Sequence, residues 1–106
     1  VDAAPRPPTH GTMVPAEVTA VLRAHQDAVR RCYERQLSHD ATARGEVIVR
    51  LRVEPDGSVS ETSSGGDSLL RPVGRCIEAL LRPVRFPTPT GGAATVTAPF
   101  VFAAGE

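Results

Sequence analysis

Apolar side chains recur at steps of three and four along residues 15–38, at Val18, Val21, Leu22, Ala28, Val29, Cys32, Tyr33 and Leu37. That spacing is the 3.6-residue period of an amphipathic helix, and it predicts one helix over 15–38. His25 falls at the rim of the stripe, while Arg23, Asp27, Arg30, Arg31, Glu34 and Arg35 lie mostly off it. Pro15 suits the first helical position, where a missing N–H costs nothing, and Glu17 suits the positive end of the helix dipole.

A polar loop over 39–45 ends in Gly45, and the period then changes to two. Val47, Val49, Leu51 and Val53 share one face of a strand, with Glu46, Ile48, Arg50, Arg52 and Glu54 on the other. Pro55-Asp56-Gly57-Ser58 is a turn, since proline presets φ and glycine accepts a positive one. Residues 59–63 return as a shorter, more polar strand, which predicts a hairpin, and 64–68 read as a loop. A second helix is expected from Pro72, with Val73, Cys76, Ile77, Leu80 and Leu81 on its buried face and Pro83 as its stop. The proline- and glycine-rich stretch 85–92 turns the chain toward a last strand over 94–102. There Val96, Ala98, Phe100 and Phe102 alternate with Thr95, Thr97, Pro99 and Val101. Proline cannot donate to a ladder, so Pro99 predicts an edge strand.

The expected fold is therefore α+β in the order α-β-β-α-β, with a three-stranded antiparallel sheet covered on one face by two helices. Residues 1–14, with Pro5, Pro7 and Pro8 and no apolar period, read as the end of a linker. The domain is expected over 15–103, with a short tail at 104–106.

Charge narrows the partners. Twelve basic residues, all arginine, balance twelve acidic ones. Nucleic-acid binding, which needs a basic footprint, is not expected, and the arginine bias fits GC-rich coding. No stretch approaches the roughly 20 apolar residues that span a bilayer. Catalysis is not expected either: the chain has no Gly-x-Ser-x-Gly, no His-Glu-x-x-His and no phosphate-cradling glycine loop. Of the three histidines, His10 falls in the linker, His25 at the core rim, and His39 in a loop beside Asp40. No metal or cofactor is expected. The helix charges Arg30, Arg31, Glu34 and Arg35 read as a solvated face with Arg30 paired to Glu34.

Cys32 and Cys76 lie on the apolar stripes of the two predicted helices. Taken alone, the pattern allows two buried thiols or a bridge between the helices. Metal or redox use finds no Cys-x-x-Cys and no framing histidine or acidic cluster.

Several segments together carry a family resemblance. They are Gly45-Glu46-Val47-Ile48-Val49-Arg50-Leu51, then Pro55-Asp56-Gly57-Ser58-Val59, then a short helix followed by Arg85-Phe86-Pro87. This succession resembles the TonB C-terminal domain family. Val29 to Arg35 with Cys32, then Cys76, Gly91-Gly92 and Pro99-Phe100-Val101-Phe102 resemble the branch named for the adventurous-gliding proteins AgmX and PglI. The resemblance runs over 15–102. The chain departs from the family at Val84, where tryptophan is frequent, and it has no counterpart of the Gln-Pro segment that contacts outer-membrane receptors.

The resemblance implies a periplasmic domain of a longer, inner-membrane-anchored transducer. Its expected partners are outer-membrane or periplasmic proteins or peptides, with an inner-membrane motor complex reached through a preceding part. Gliding motility or force transduction is the implied setting. In that compartment a Cys32–Cys76 bridge is expected to persist. Partner binding by β-strand addition is expected at Thr95, Val96, Thr97, Ala98 and Val101 of the last strand. The alternative is a structural or peptidoglycan-binding envelope domain that captures no peptide.

Overall fold

The period-two stretch forms the centre of the molecule. In the computed structural model, which describes residues 11–103, strand β1 (Gly45–Val53) pairs antiparallel with β2 (Val59–Gly66) on one side and with β3 (Ala94–Phe102) on the other. The sheet order is β2-β1-β3, so β2 and β3 are both edges. Helices α1 (Pro15–Ala24), α2 (Gln26–Leu37) and α3 (Arg71–Leu81) complete the fold, with a single 3-10 turn at Ser68–Leu70 leading into α3. The architecture is α+β with a three-stranded antiparallel sheet.

The core lies between the sheet and α2 and α3. Val47, Val49, Leu51 and Val53 are at most 1% exposed, and they meet Val29, Cys32 and Tyr33 from α2 and Val73, Ile77 and Leu81 from α3. Burying one such aliphatic side chain stabilises by roughly 1.5–3 kcal/mol. Gly74 lets α3 approach β2, since a Cβ there would stand 2.7 Å from Ser64 Oγ. Beside this contact, Glu78 accepts hydrogen bonds from the hydroxyls of Thr62 and Ser64, and Arg82 donates to Thr62 (2.9 Å). The sulfurs of Cys32 and Cys76 are bonded, tying α2 to α3 across a Cα–Cα distance of 5.8 Å.

The hairpin is built locally. Asp56 accepts hydrogen bonds from the amide (2.9 Å) and hydroxyl (2.6 Å) of Ser58, an Asx-turn. Gly57 has φ +88°, and a Cβ there would stand 2.3 Å from the carbonyl oxygen of Phe86. Its own carbonyl accepts from the Phe86 amide (2.9 Å), so the turn is pinned to the segment that follows α3. The pairing slips between Arg52 and Val53, a bulge that twists the start of β2.

Four sequence expectations are corrected. The helix expected over 15–38 is two helices, broken at His25 (φ −108°, ψ 10°). The segment is held at both ends: Thr12 pairs with Thr90, while Cys32 and Tyr33 sit in the core. A turn at His25 lets it satisfy both. As a result α1 has no fully buried residue, and Val18, Val21 and Leu22 are only half-buried. Next, β2 runs on through Gly66 rather than ending at 63, because Val47, Ile48 and Val49 offer ladder partners to Gly66, Gly65 and Ser64. The end of the expected linker is bonded to the domain, with Gly11 donating to Ala93 and Thr12 exchanging both bonds with Thr90, each 2.8 Å. Finally, Arg30 and Glu34 form no ion pair; both are exposed, where such a pair gains little. The rest of the expected linker, 1–10, and the tail, 104–106, lie outside the described residues.

Candidate functional site: the groove beside the last strand

The two edges of the sheet differ. The edge strand β2 is polar, bulged and packed against α3, which is how an edge is protected from pairing. The edge strand β3 pairs with β1 through all nine of its residues, from Phe102 opposite Gly45 to Ala94 opposite Val53. Its other side borders an open groove of about 860 Å³, walled by α1 and α2. Cavities of about 300–1,000 Å³ are the size that admits a ligand.

The groove follows from the break at His25. Helix α2 lies on the sheet, and its Tyr33 stacks on Phe102 with ring centroids 4.7 Å apart. Its hydroxyl donates to the buried carbonyl of Ala43 at 2.6 Å, which fixes the ring. Helix α1 begins beside the Thr12–Thr90 bridge and ends at His25. Both helices border the groove that residues 97–103 line, without packing closely on β3. Val18, Leu22 and Val29 give the wall an apolar lining, while Phe100 and Phe102, 6.4 Å apart, supply aromatic surface from the strand.

Of the expected binding residues, Thr97, Ala98 and Val101 line this groove, whereas Thr95 and Val96 do not. Val96 and Ala98 are 7% and 3% exposed on the helix-covered face. Val101 is 77% exposed on the opposite face, so it is presented at the edge without taking part in the core. Thr95 stands opposite Arg52 in the β1 ladder. Cys32 and Cys76 lie outside the groove, between α2 and α3.

The 3.6-residue period puts residues 18, 22 and 29 on one apolar stripe. Their role as a groove wall was not visible there, because both halves of the stripe have the same period. The helix break leaves no proline or glycine as a signal.

His25, Asp40, Glu54 and Asp56 make local hydrogen bonds. His25 Nδ1 stands 2.9 Å from the carbonyl of Val21; a carbonyl only accepts, so that nitrogen carries the proton. Asp40 turns to Thr42 and accepts from its hydroxyl (2.6 Å) and amide (3.0 Å), bonds that hold its carboxyl below the usual range. Glu54 is held low by the Ser60 hydroxyl and then by Arg52, and Asp56 by the Ser58 hydroxyl and amide. Among the described residues, no group of three histidine, cysteine or acidic side chains could hold a metal ion. No helix there is long and apolar enough to cross a membrane.

Fold and groove together define a class: a small α+β domain that presents an edge strand beside an apolar, helix-walled cleft. No family model, curated protein or solved structure matches the chain.

Proposed function

We propose that this chain is a protein-interaction domain that captures an extended segment of a partner by adding it as a fourth strand beside β3. One observation carries this reading: the outer edge of β3 is covered by no further strand and borders an open groove walled by α1 and α2. A strand pairs at about 4.8 Å from its neighbour and presents side chains to alternate faces. An incoming segment would gain backbone hydrogen bonds from β3 and would bury alternate side chains against Phe100, Phe102, Leu22 and Val29. Pro99 withholds one donor, which limits how the edge can pair.

The setting we propose is the periplasm, as the partner-binding end of a TonB-like, envelope-spanning transducer that engages outer-membrane or periplasmic proteins, as in gliding motility. The α-α-β-β-α-β order, which matches the expected arrangement except that its first helix is broken in two, and the helix–helix disulfide support this reading. A disulfide persists in an oxidising compartment, and backbone pairing shares a load applied along the strand among several bonds.

Backbone amide NMR during titration with a valine–threonine peptide tests the binding mode. Shifts are expected in 97–102 and in the facing turns of α1 and α2. Shifts confined to α3 and β2 would overturn strand addition. A pulldown from envelope fractions, with and without digestion of the cell wall, tests the partner class. Binding lost entirely on digestion would replace the protein partner with peptidoglycan.

A further inference from the structure

The two sulfurs of the Cys32–Cys76 bond stand in unlike surroundings. Cys32 is 5% exposed and belongs to the apolar core with Val29, Tyr33 and Ile77. Cys76 is only half-buried, at the rim of that core. Its neighbours one turn away along α3, Pro72 and Ala79, are exposed and carry no long side chain to cover it. The guanidinium nitrogen Nη1 of Arg35 stands 3.9 Å from Cys76 Sγ. Arg35 lies three residues beyond Cys32, on the same side of α2, so its charge reaches across the bond to the sulfur of the other helix.

We propose that Cys76 is the exchange sulfur of this domain, the site where thiols and disulfides act on the folded protein. A reagent thiolate R–S⁻ attacks Cys76 Sγ and forms a new S–S bond there. The Cys32–Cys76 bond breaks with its electron pair on Cys32, which takes up a proton. Negative charge is spread over the reacting sulfurs during this step, and Arg35 lies beside the central one, where it stabilises that charge. Attack at Cys32 would instead bring the reagent into the core. Full reduction takes a second thiolate, which attacks the reagent sulfur, releases R–S–S–R and expels Cys76 as a thiolate next to Arg35. The reverse sequence makes the bond. The Cys76 thiolate attacks R–S–S–R and expels R–S⁻, and the Cys32 thiolate then attacks Cys76 Sγ and expels the second R–S⁻. Both directions pass through one mixed disulfide, on Cys76, with Cys32 as the resolving thiol. This holds whether or not β3 accepts a strand.

Trapping the mixed disulfide on the oxidised, folded chain tests this. The probe is β-mercaptoethanol, which is uncharged as the thiol and lets Arg35 act on the sulfurs without drawing in a charged side group. Samples are quenched in acid, which removes thiolates, and free thiols are then capped with a maleimide in denaturant and mapped by peptide mass spectrometry. The adduct is expected on Cys76 with the maleimide on Cys32, in about tenfold excess over the opposite pattern, because access and charge favour the same sulfur. The same reaction run in denaturant is expected to lose that preference. Arg35→Gln is expected to slow adduct formation about threefold, the scale of one exposed charge contact, and to leave the adduct on Cys76. This variant keeps both cysteines and changes an exposed position, and circular dichroism checks that the domain is folded during the reaction.

Adducts mainly on Cys32, or shared equally between the two cysteines in the folded protein, would overturn the assignment. No adduct on either cysteine would overturn it as well, since both sulfurs would then be closed to thiols. A preference for Cys76 that survives in denaturant would trace to the neighbouring sequence and not to the fold, and would also overturn it. An Arg35→Gln rate equal to that of the parent would overturn the part given to Arg35.

Discussion

Tyr33 links the groove to the core through one side chain. Its ring forms part of the groove wall and stacks on Phe102, and its hydroxyl donates to the carbonyl of Ala43, which is fully buried. Tyr33→Phe leaves that carbonyl without its donor, and the loss is expected to cost about 1–3 kcal/mol by denaturant unfolding. The ring stack itself is kept, so groove binding is expected to weaken much less than stability. A variant as stable as the parent would show that Ala43 finds another donor. Gly57 makes a second local demand, since its positive φ and its approach to the Phe86 carbonyl both exclude a side chain.

The β1–β2 hairpin is the element most dependent on ionised carboxylates. Asp56 accepts from Ser58 inside the turn, and Glu54 accepts from Ser60 across it and from Arg52 two residues earlier in β1. Both carboxyls are held below their ordinary range in the folded state. A carboxylate with a depressed folded pKa contributes stability that is full above its unfolded value, about 4, and is lost as pH falls through the folded value. Both groups are solvent-exposed, so the effect is local and small. Comparison of Asp56→Ala with the parent should give a stability difference that is largest near neutrality and closes in acid. A difference independent of pH would place the contribution of Asp56 outside its ionisation. Helix α1 contrasts with this hairpin: it lacks a buried residue and owes its position to the Thr12–Thr90 bridge and to the turn at His25.

For the molecule as a whole, the Cys32–Cys76 bond closes a loop with a sequence separation of 44 and holds α2 against α3. On the chain-entropy model such a crosslink stabilises by about 4 kcal/mol, a large part of the margin of a small domain. Reduction, or Cys32→Ser with Cys76→Ser, is expected to lower the unfolding free energy by about that amount. Peptide binding should persist under conditions where the reduced protein stays folded, because the bond lies on the far side of α2 from the groove. Intact mass before and after reduction, with thiol labelling, checks that the bond is present. An unchanged mass with both thiols labelled beforehand would refute it.

Much of this architecture was legible in the chain. The change of period at Gly45, the Pro-Asp-Gly-Ser turn and the alternation ending in Phe102 each follow from local rules: side-chain direction reverses every residue in a strand, and φ is restricted at proline and released at glycine. The edge position of β3 was also readable, from Pro99. Tertiary structure alone decided the break at His25, the continuation of β2 through Gly66 and the separation of α1 from the core. Each depends on groups distant in sequence: Thr90 holding Thr12, Val47 facing Gly66, and Phe102 receiving Tyr33. A 3.6-residue period shows that a helix has an apolar face, but not whether that face meets a sheet or an open groove. That choice set the candidate site.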